Sequence, residues 1–214
     1  MQNLLDHLHD KSHVIWDWNG TLLNDVPHAV ATMNGMLAPR GLPLLDVPRY
    51  RGAFGFPIRN YYEVLGFDLQ SEPLADLCDS FVDAFMAKIF DCELVPGSRE
   101  LLQSLKSAGR TQSVLSATDQ SNLQRMIAGF ELTPYFDFVF GVEGTQGAGK
   151  VRRGHELMQA SGIAPRHTVL IGDTDHDLEV GHALGISVIL VTHGHQSAER
   201  LRRIHHHVVD VAAA

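Results

Sequence analysis

Apolar positions along the chain follow two different rhythms. Val14-Ile15-Trp16 is a short apolar run ending at an acidic residue, Asp17, and then at the turn signal Asn19-Gly20. Such a run is a buried strand that delivers polar side chains at its carboxyl end. From Val26 to Leu37 the apolar residues Val26, Ala29, Val30, Met33 and Leu37 recur at helical spacing. Pro39, Gly41, Pro43 and Pro48 then break the chain. A short helix is predicted over 58–65. A longer one is predicted over 74–90, with Leu77, Phe81, Phe85 and Ile89 at four-residue steps. Residues 25–93 thus read as almost entirely helical.

After Val95-Pro96-Gly97 the pattern alternates. Helices are predicted over 98–108, 119–128, 151–160, 176–184 and 196–204, several stopping at a glycine (Gly109, Gly129, Gly162, Gly185). Between them lie short apolar strands at 112–115, 136–140, 168–171, 186–191 and 207–211. This spacing signals a parallel sheet covered on both faces. The expected architecture is α/β: a three-layer Rossmann-like core with a mainly parallel sheet and an inserted α-helical cap. The core takes residues 1–22 and 94–214, and the cap residues 23–93.

With 214 residues, 44% hydrophobic and 20% charged, the chain buries a real core and is too apolar for disorder. The formal net charge of -8 argues against broad attraction to nucleic acid or to an anionic membrane. Cys78 and Cys92 are too few and too far apart for a thiolate zinc site or a dithiol redox motif. The opening residues contain acids and lack a continuous apolar stretch, and no apolar run approaches the about 20 residues of a membrane helix. A cytoplasmic protein is therefore expected, with oligomeric state left open. His205, His206 and His207 lead into an apolar run and read as native sequence rather than a tag.

In open α/β sheets ligands bind beyond the carboxyl ends of the strands. The first strand presents Asp17, Trp18, Asn19, Gly20 and Thr21 there; the second presents Ser116, Ala117 and Thr118. Lys150 follows the third strand, and Gly172-Asp173-Thr174-Asp175-His176-Asp177 follows the fourth. An acid ending a buried strand is costly unless it is paired or bound to metal. Two strands that do so, at Asp17 and Asp173, point to one shared cation with oxygen ligands, best matched by Mg²⁺. Two carboxylates, a hydroxyl and a lysine around such an ion form a phosphate-handling arrangement.

These residues also carry a resemblance. Asp17-Trp18-Asn19-Gly20-Thr21-Leu22 resembles the first motif, DxDGTL, of the haloacid-dehalogenase-like phosphohydrolase superfamily. Val114-Leu115-Ser116 resembles its second motif, Lys150 stands where the third places an isolated lysine, and Gly172-Asp173-Thr174-His176-Asp177 resembles the fourth, GDTxxD. The likeness is greatest to the branch with a helical cap between the first two motifs, which includes phosphoglycolate phosphatase. It implies Mg²⁺-dependent hydrolysis of a small phosphorylated metabolite through an aspartyl-phosphate. Asp17 would be nucleophile and metal ligand, and Asn19 would offer its backbone carbonyl to the metal. Ser116 would bond a phosphoryl oxygen, and Lys150 would pair with the nucleophile and the phosphoryl group. Asp173 would bind the metal, and Asp177 would hold the metal site or Lys150. Gly20 and Thr118 are expected on the substrate side.

The chain departs from the family at position 19, where the phosphatases carry Asp. Asparagine cannot hand over a proton, and general acid–base catalysis is worth about 10²–10⁴-fold. A slow or selective phosphatase, a relative with other chemistry, and a phospholigand binder with little turnover all follow. Asp173 and Asp177 argue against carbon–halogen cleavage. Lys88, at the end of a long helix, reads as a solvated lysine rather than a Schiff-base amine. In the cap, Arg49, Arg51 and Arg59 flank Gly52-Ala53-Phe54-Gly55-Phe56-Pro57, too rich in glycine and aromatics for a plain helix. They read either as a substrate-recognition loop, Arg59 first, or as neutralisers of an acidic cap surface. Trp18 is a pocket wall or a core residue. Asp175 reads as a helix-start acid, and His176 as a solvent-side hydrogen bonder. His193 and His195 make an HxH pair without a third zinc ligand. Thr118-Asp119 reads as phosphate positioning combined with helix capping, and Gly147-Ala148-Gly149 as freedom for the loop approaching Lys150.

Overall fold

Val14, Ile15 and Trp16 are fully buried in the computed structural model, which describes residues 1–143 and 149–211. They belong to β1 (His13–Trp16), which lies inside a six-stranded sheet. Two short strands follow, β2 (Leu23–Asn24) and β3 (Glu93–Leu94). The remaining strands are β4 (Thr111–Asp119), β5 (Phe138–Val142), β6 (Thr168–Gly172), β7 (Ser187–Val191) and β8 (Val208–Val209). The sheet order is β5-β4-β1-β6-β7-β8, and every pairing is parallel.

Side chains of a strand alternate between faces, and the two faces bury different helices. Ile15, Leu115 and Leu170 pack with Leu157, Val180 and Leu184, which lie on α7 (Lys150–Ser161) and α8 (Asp175–Leu184). Val14, Trp16, Val114 and Ile171 face the other way, towards Leu102 and Leu123 on α5 (Ser98–Ser107) and α6 (Gln120–Gly129). The chain ends with α9 (Ala198–Ile204) and β8. This is the three-layer α/β core expected from the alternating pattern.

The helical insertion leaves the core through β2 and returns through β3, which pair antiparallel, Leu23 with Leu94. Between them lie α1 (Val26–Leu37), α2 (Val47–Ala53), α3 (Ile58–Leu65) and α4 (Leu74–Ala87). The helix expected over 74–90 ends at Ala87, and a 3₁₀ turn, Ile89–Asp91, follows it. α2 falls where proline and glycine suggested a break. Pro48 sits in its first turn, where a missing N–H costs no hydrogen bond, and the Asp46 side chain caps it by accepting from the Arg49 N–H at 2.8 Å. Gly147 and Ala148 of the expected approach loop lie outside the described residues; Gly149 precedes α7. Among the described residues, no helix is long and apolar enough to cross a membrane.

Candidate active site

The register of β1 puts the strand ends together. Trp16 pairs with Val114 on one side and Ile171 on the other, so Asp17, Ser116 and Asp173 emerge at one edge of the sheet. The Asp17 N–H donates to the Ile171 carbonyl at 2.8 Å. Oxygens of Asp17, Asp173 and Asp177 lie within 4.8 Å of one another, and all three residues are buried. Lys150, also buried, reaches them from the first position of α7. Its Nζ donates to Asp17 Oδ1 at 2.5 Å and to Asp177 Oδ1 at 2.6 Å.

The start of α8 fixes Asp177. Thr174 caps the helix, and Asp177 Oδ2 accepts from the Thr174 hydroxyl at 2.7 Å and from the N–H groups of Thr174 and Asp173 at 3.0 and 3.2 Å. Asp173 is held by the Thr21 hydroxyl at 3.0 Å and the His195 N–H at 2.5 Å. Gly20 (φ 73°) passes so close that a Cβ there would overlap the Asp173 carboxylate and the His195 ring.

Three carboxylates thus face one lysine, and the excess negative charge shows in their titration. Burial pushes Asp17 up; Lys150 draws it back, while Asp177 and Asp173 raise it further. Burial also pushes Asp173 up, against the pull of His195. At Asp177 burial is outweighed by the charge and hydrogen bond of Lys150, which hold the carboxyl below its ordinary value. Burial works to lower Lys150, and Asp17 and Asp177 reverse this and raise it. Hard, closely set and under-neutralised oxygens are the donor set a small divalent cation takes.

Asn19 sits beside this cluster, tied on both sides. Its amide donates to Asp25 Oδ2 at 2.8 Å, and its Oδ1 accepts from the Thr118 hydroxyl at 2.8 Å. Asp25 also accepts from the Gly20 N–H at 2.7 Å. Its Oδ1 lies 3.3 Å from His195 Nε2, close enough for an ion pair though not aligned as a hydrogen bond. Burial opposes the charge on Asp25, but His195 and these donors hold it below its usual range. Burial likewise works to lower His195, and Asp25 outweighs it, raising the imidazole to about 9. As an imidazolium its Nδ1 donates to the Tyr50 hydroxyl at 2.7 Å, which links the core to α2.

A cavity of about 340 Å³ opens between this edge and the helical insertion. Asp17, Asn19, Ser116, Thr118, Lys150 and Asp173 line its floor. Phe54, Tyr61, Phe81, Val82, Phe85 and Met86 stand among the residues of the opposite wall.

The family description "haloacid dehalogenase-like hydrolase" fits residues 14–191. This chain is a haloacid dehalogenase-like hydrolase. It is 29% identical over 198 residues to the phosphoglycolate phosphatase of Caulobacter vibrioides, covering 88% of this chain and 83% of that one. It is 26% identical to the 5'-nucleotidase of Pseudomonas aeruginosa, covering 94% and 92%. Its fold superposes on a haloacid dehalogenase-like hydrolase of Streptococcus pneumoniae with a TM-score of 0.80, at 21% identity, over 95% of each chain.

Within this dehalogenase-like fold, Asp17, Asn19, Ser116, Lys150 and Asp173 of the four motifs line one cavity, while Gly20 and Asp177 stand outside its lining, Asp177 bonded to Lys150. Ser116 is buried and its Oγ accepts from the Thr118 N–H at 3.1 Å. Asp119 caps α6 through the N–H groups of Ser121 and Asn122 at 2.9 and 3.3 Å. Arg59 stands outside the cavity lining, exposed and 3.7 Å from Glu63. Arg51 grips the carbonyls of His193 and Gly194, and Arg49 bonds the Leu44 carbonyl at 2.9 Å. Lys88 is exposed. Asp175 is fixed by Arg200 at 2.6 Å and by the Gln196 amide at 2.7 Å, and His176 bonds Glu179 at 3.0 Å. Trp18 is fully buried and packs near Phe130.

Two residues of this site escaped the sequence reading. Asp25 is not singled out, and His195 reads in the sequence as half of a weak metal pair. An acid five positions after Gly20 was the available signal for the first. Only the fold brings residue 195 beside residues 25 and 173.

Proposed function

We propose that the protein hydrolyses a small phosphorylated metabolite in the cytoplasm, with Mg²⁺ as its resident cation and Asp17 as the group transiently phosphorylated. Residues 1–22 and 94–214 would form the catalytic core and 23–93 the cap over it. The observation that carries this reading is Lys150 bridging Asp17 and Asp177 with Asp173 alongside, at the floor of the cavity. Asp17, Asp173 and the backbone carbonyl of Asn19 would hold the ion, with Asp177 behind them. Bound there, Mg²⁺ supplies positive charge against the phosphoryl oxygens.

The chain's own residues do the rest. Asp17 presents a carboxylate oxygen to phosphorus, and Lys150 favours the ionised form of that carboxylate and faces the same anion. The Ser116 hydroxyl bonds a phosphoryl oxygen, with Gly20 and Thr118 beside it. The apolar wall excludes bulk water from the first step. A water then attacks the phosphorylated Asp17 and restores the carboxylate. Relatives named for phosphoglycolate and for 5'-nucleotides support a phosphomonoester as substrate and differ in the alcohol that leaves.

The test is a panel of phosphomonoesters with and without Mg²⁺, run on the native chain and Asp17→Asn, with mass mapping of a phosphate adduct on the Asp17 peptide. Mg²⁺-dependent phosphate release that disappears in the variant is the expected result. A second reading, a phospholigand binder with weak turnover, is favoured by one observation. The Asn19 side chain is hydrogen-bonded at both ends and has no proton to transfer. Equal background release from both proteins, together with tight phosphate binding, would select it.

A further inference from the structure

We propose that the group leaving phosphorus in this site is neutral, apolar and ring-sized, so that the preferred substrates are aryl phosphates rather than carboxylated or polyhydroxylated phosphomonoesters. This rests on the phosphoryl-transfer reading above and specifies the departing group. The wall of the cavity and the side chain at position 19 point to it independently.

The wall comes first. Every lining position contributed by the helical insertion, apart from Asp25 between β2 and α1, is uncharged, and most are aromatic or aliphatic. The cations of that insertion are engaged elsewhere or exposed. Arg51 holds carbonyls of the 193–194 segment, Arg49 the Leu44 carbonyl, Arg40 Glu72 and Arg59 Glu63, while Lys88 is exposed. The insertion therefore offers no cation to a carboxylate on the leaving group, and His195, the imidazolium in the core side of the lining, is already committed to Asp25 and Tyr50, so burying such a carboxylate against this wall is costly. A polyol fares little better. Of the three tyrosine hydroxyls on the wall, that of Tyr50 meets His195 and that of Tyr62 meets the Leu77 carbonyl. The buried Tyr61 hydroxyl has no partner, so the tyrosines of the wall offer one hydrogen bond, enough for a single ring substituent. The size also fits. A cavity of about 150 Å³ holds benzene, and about 340 Å³ holds a ring with a phosphoryl group.

The second feature is chemical. Asn19 cannot protonate a leaving oxygen, burial pushes the Tyr50 and Tyr61 hydroxyls up, which makes them poor proton donors, and the His195 imidazolium is held between the Tyr50 hydroxyl and the Asp25 carboxylate. An alkoxide is about as basic as hydroxide, whose conjugate acid has a pKa of about 15.7, and leaves slowly without a proton. A phenolate, with a conjugate acid pKa of about 10, leaves without one. Asp17 forms the new P–O bond as the bond to the aryl oxygen breaks, and the electron pair departs with the aryloxide, which is protonated by water after release. A second water attacks phosphorus, its proton passes to solvent, and inorganic phosphate and the Asp17 carboxylate are regenerated.

The experiment compares kcat/KM for phenyl phosphate and phosphoglycolate on the native protein with Mg²⁺. It is paired with calorimetric binding of two non-hydrolysable probes, benzylphosphonate and 3-phosphonopropionate. Burial of one ring predicts a preference for phenyl phosphate of about 10²-fold, and tighter binding of benzylphosphonate by at least about 10-fold. Phosphoglycolate turned over as fast or faster overturns the aryl preference and leaves hydrolysis standing. If neither ester is turned over, the hydrolytic reading fails and the phosphonates decide the site's selectivity. Benzylphosphonate bound more tightly supports the apolar wall as the recognition surface, and equal or reversed binding overturns it.

Discussion

The side-chain amide of Asn19 donates to Oδ2 of Asp25 at 2.8 Å, and the two residues fit only as an amide–carboxylate pair. A carboxylate can only accept, which fixes the amide's orientation and turns Oδ1 towards the Thr118 hydroxyl. An aspartate at position 19 would set two carboxylate oxygens at that separation, beside an Asp25 already held ionised. Asn19 is thus matched to its neighbour, and restoring the family's acid is not a one-residue change. Asn19→Asp is expected to lose about 1–3 kcal/mol of stability with no gain in turnover at neutral pH. Asn19→Asp combined with Asp25→Asn removes the repulsion. It should recover stability and speed alkyl phosphate hydrolysis by about 10-fold or more. Thermal melts and alkyl phosphate assays on both variants test this; a single variant as stable as the native chain would refute the matching.

His13 predicts how stability depends on pH. It is fully buried in β1, its Nε2 is 2.7 Å from the Ser113 hydroxyl, and burial lowers it to about 4. The unfolded chain binds its proton near pH 6.5, well before the folded chain does. The stability this contributes is therefore complete above pH 6.5 and lost as pH falls from there towards 4, amounting to about 3 kcal/mol at most. His13→Gln keeps an N–H near Ser113 and removes the titration. Denaturant unfolding between pH 7 and 4 should fall less steeply in the variant; parallel slopes would show that another group is responsible.

Gly20 combines a left-handed backbone with a close approach to the Asp173 carboxylate and the His195 ring. Gly20→Ala adds backbone strain and displaces either Asp173 or His195, at about 1–3 kcal/mol. Because Asp173 is one of the displaced groups, Mg²⁺ should raise the melting temperature of the variant less than that of the native chain. An undiminished Mg²⁺ shift would mean that the carboxylate had not moved.

How much of this was legible depends on what each residue answers to. The strand ends at Asp17 and Asp173 could be read because a buried parallel strand is a continuous apolar run, and the polar residue that stops it stands out; Ser116 follows the short run Val114-Leu115, and β4 continues past it to Asp119. α2 was not legible. Its Pro48 signals a break in isolation and becomes a helix start only once Asp46 caps it. The two-residue strands β2 and β3 are too short to carry a period. Phe81, Phe85 and Met86 have helical core spacing, and nothing local distinguishes a helix face packed on protein from one packed on a cavity. The partnership of His195 with Asp25 and Asp173 joins residues far apart in the chain, and no spacing rule reaches it.

Lys150 is the cation that touches both Asp17 and Asp177, and its loss shows what the site lacks. Lys150→Met keeps the volume and leaves Asp17 and Asp177 uncompensated, a loss of about 3–5 kcal/mol at neutral pH. In the native chain Lys150 holds Asp177 below its ordinary value, so the stability Asp177 contributes is present above pH 4 and lost only as pH falls through its lowered value. Without the lysine, burial raises that carboxyl instead, and the sign reverses: acidification, by neutralising it, makes the variant relatively more stable. A divalent cation acts on the same excess charge, so Mg²⁺ should rescue the variant by more than it stabilises the native chain. Unfolding at pH 5 and pH 8, each with and without Mg²⁺, reads both effects. If Mg²⁺ stabilises the two proteins equally, the lysine and the metal do not balance the same carboxylates, and the proposed cation site is elsewhere.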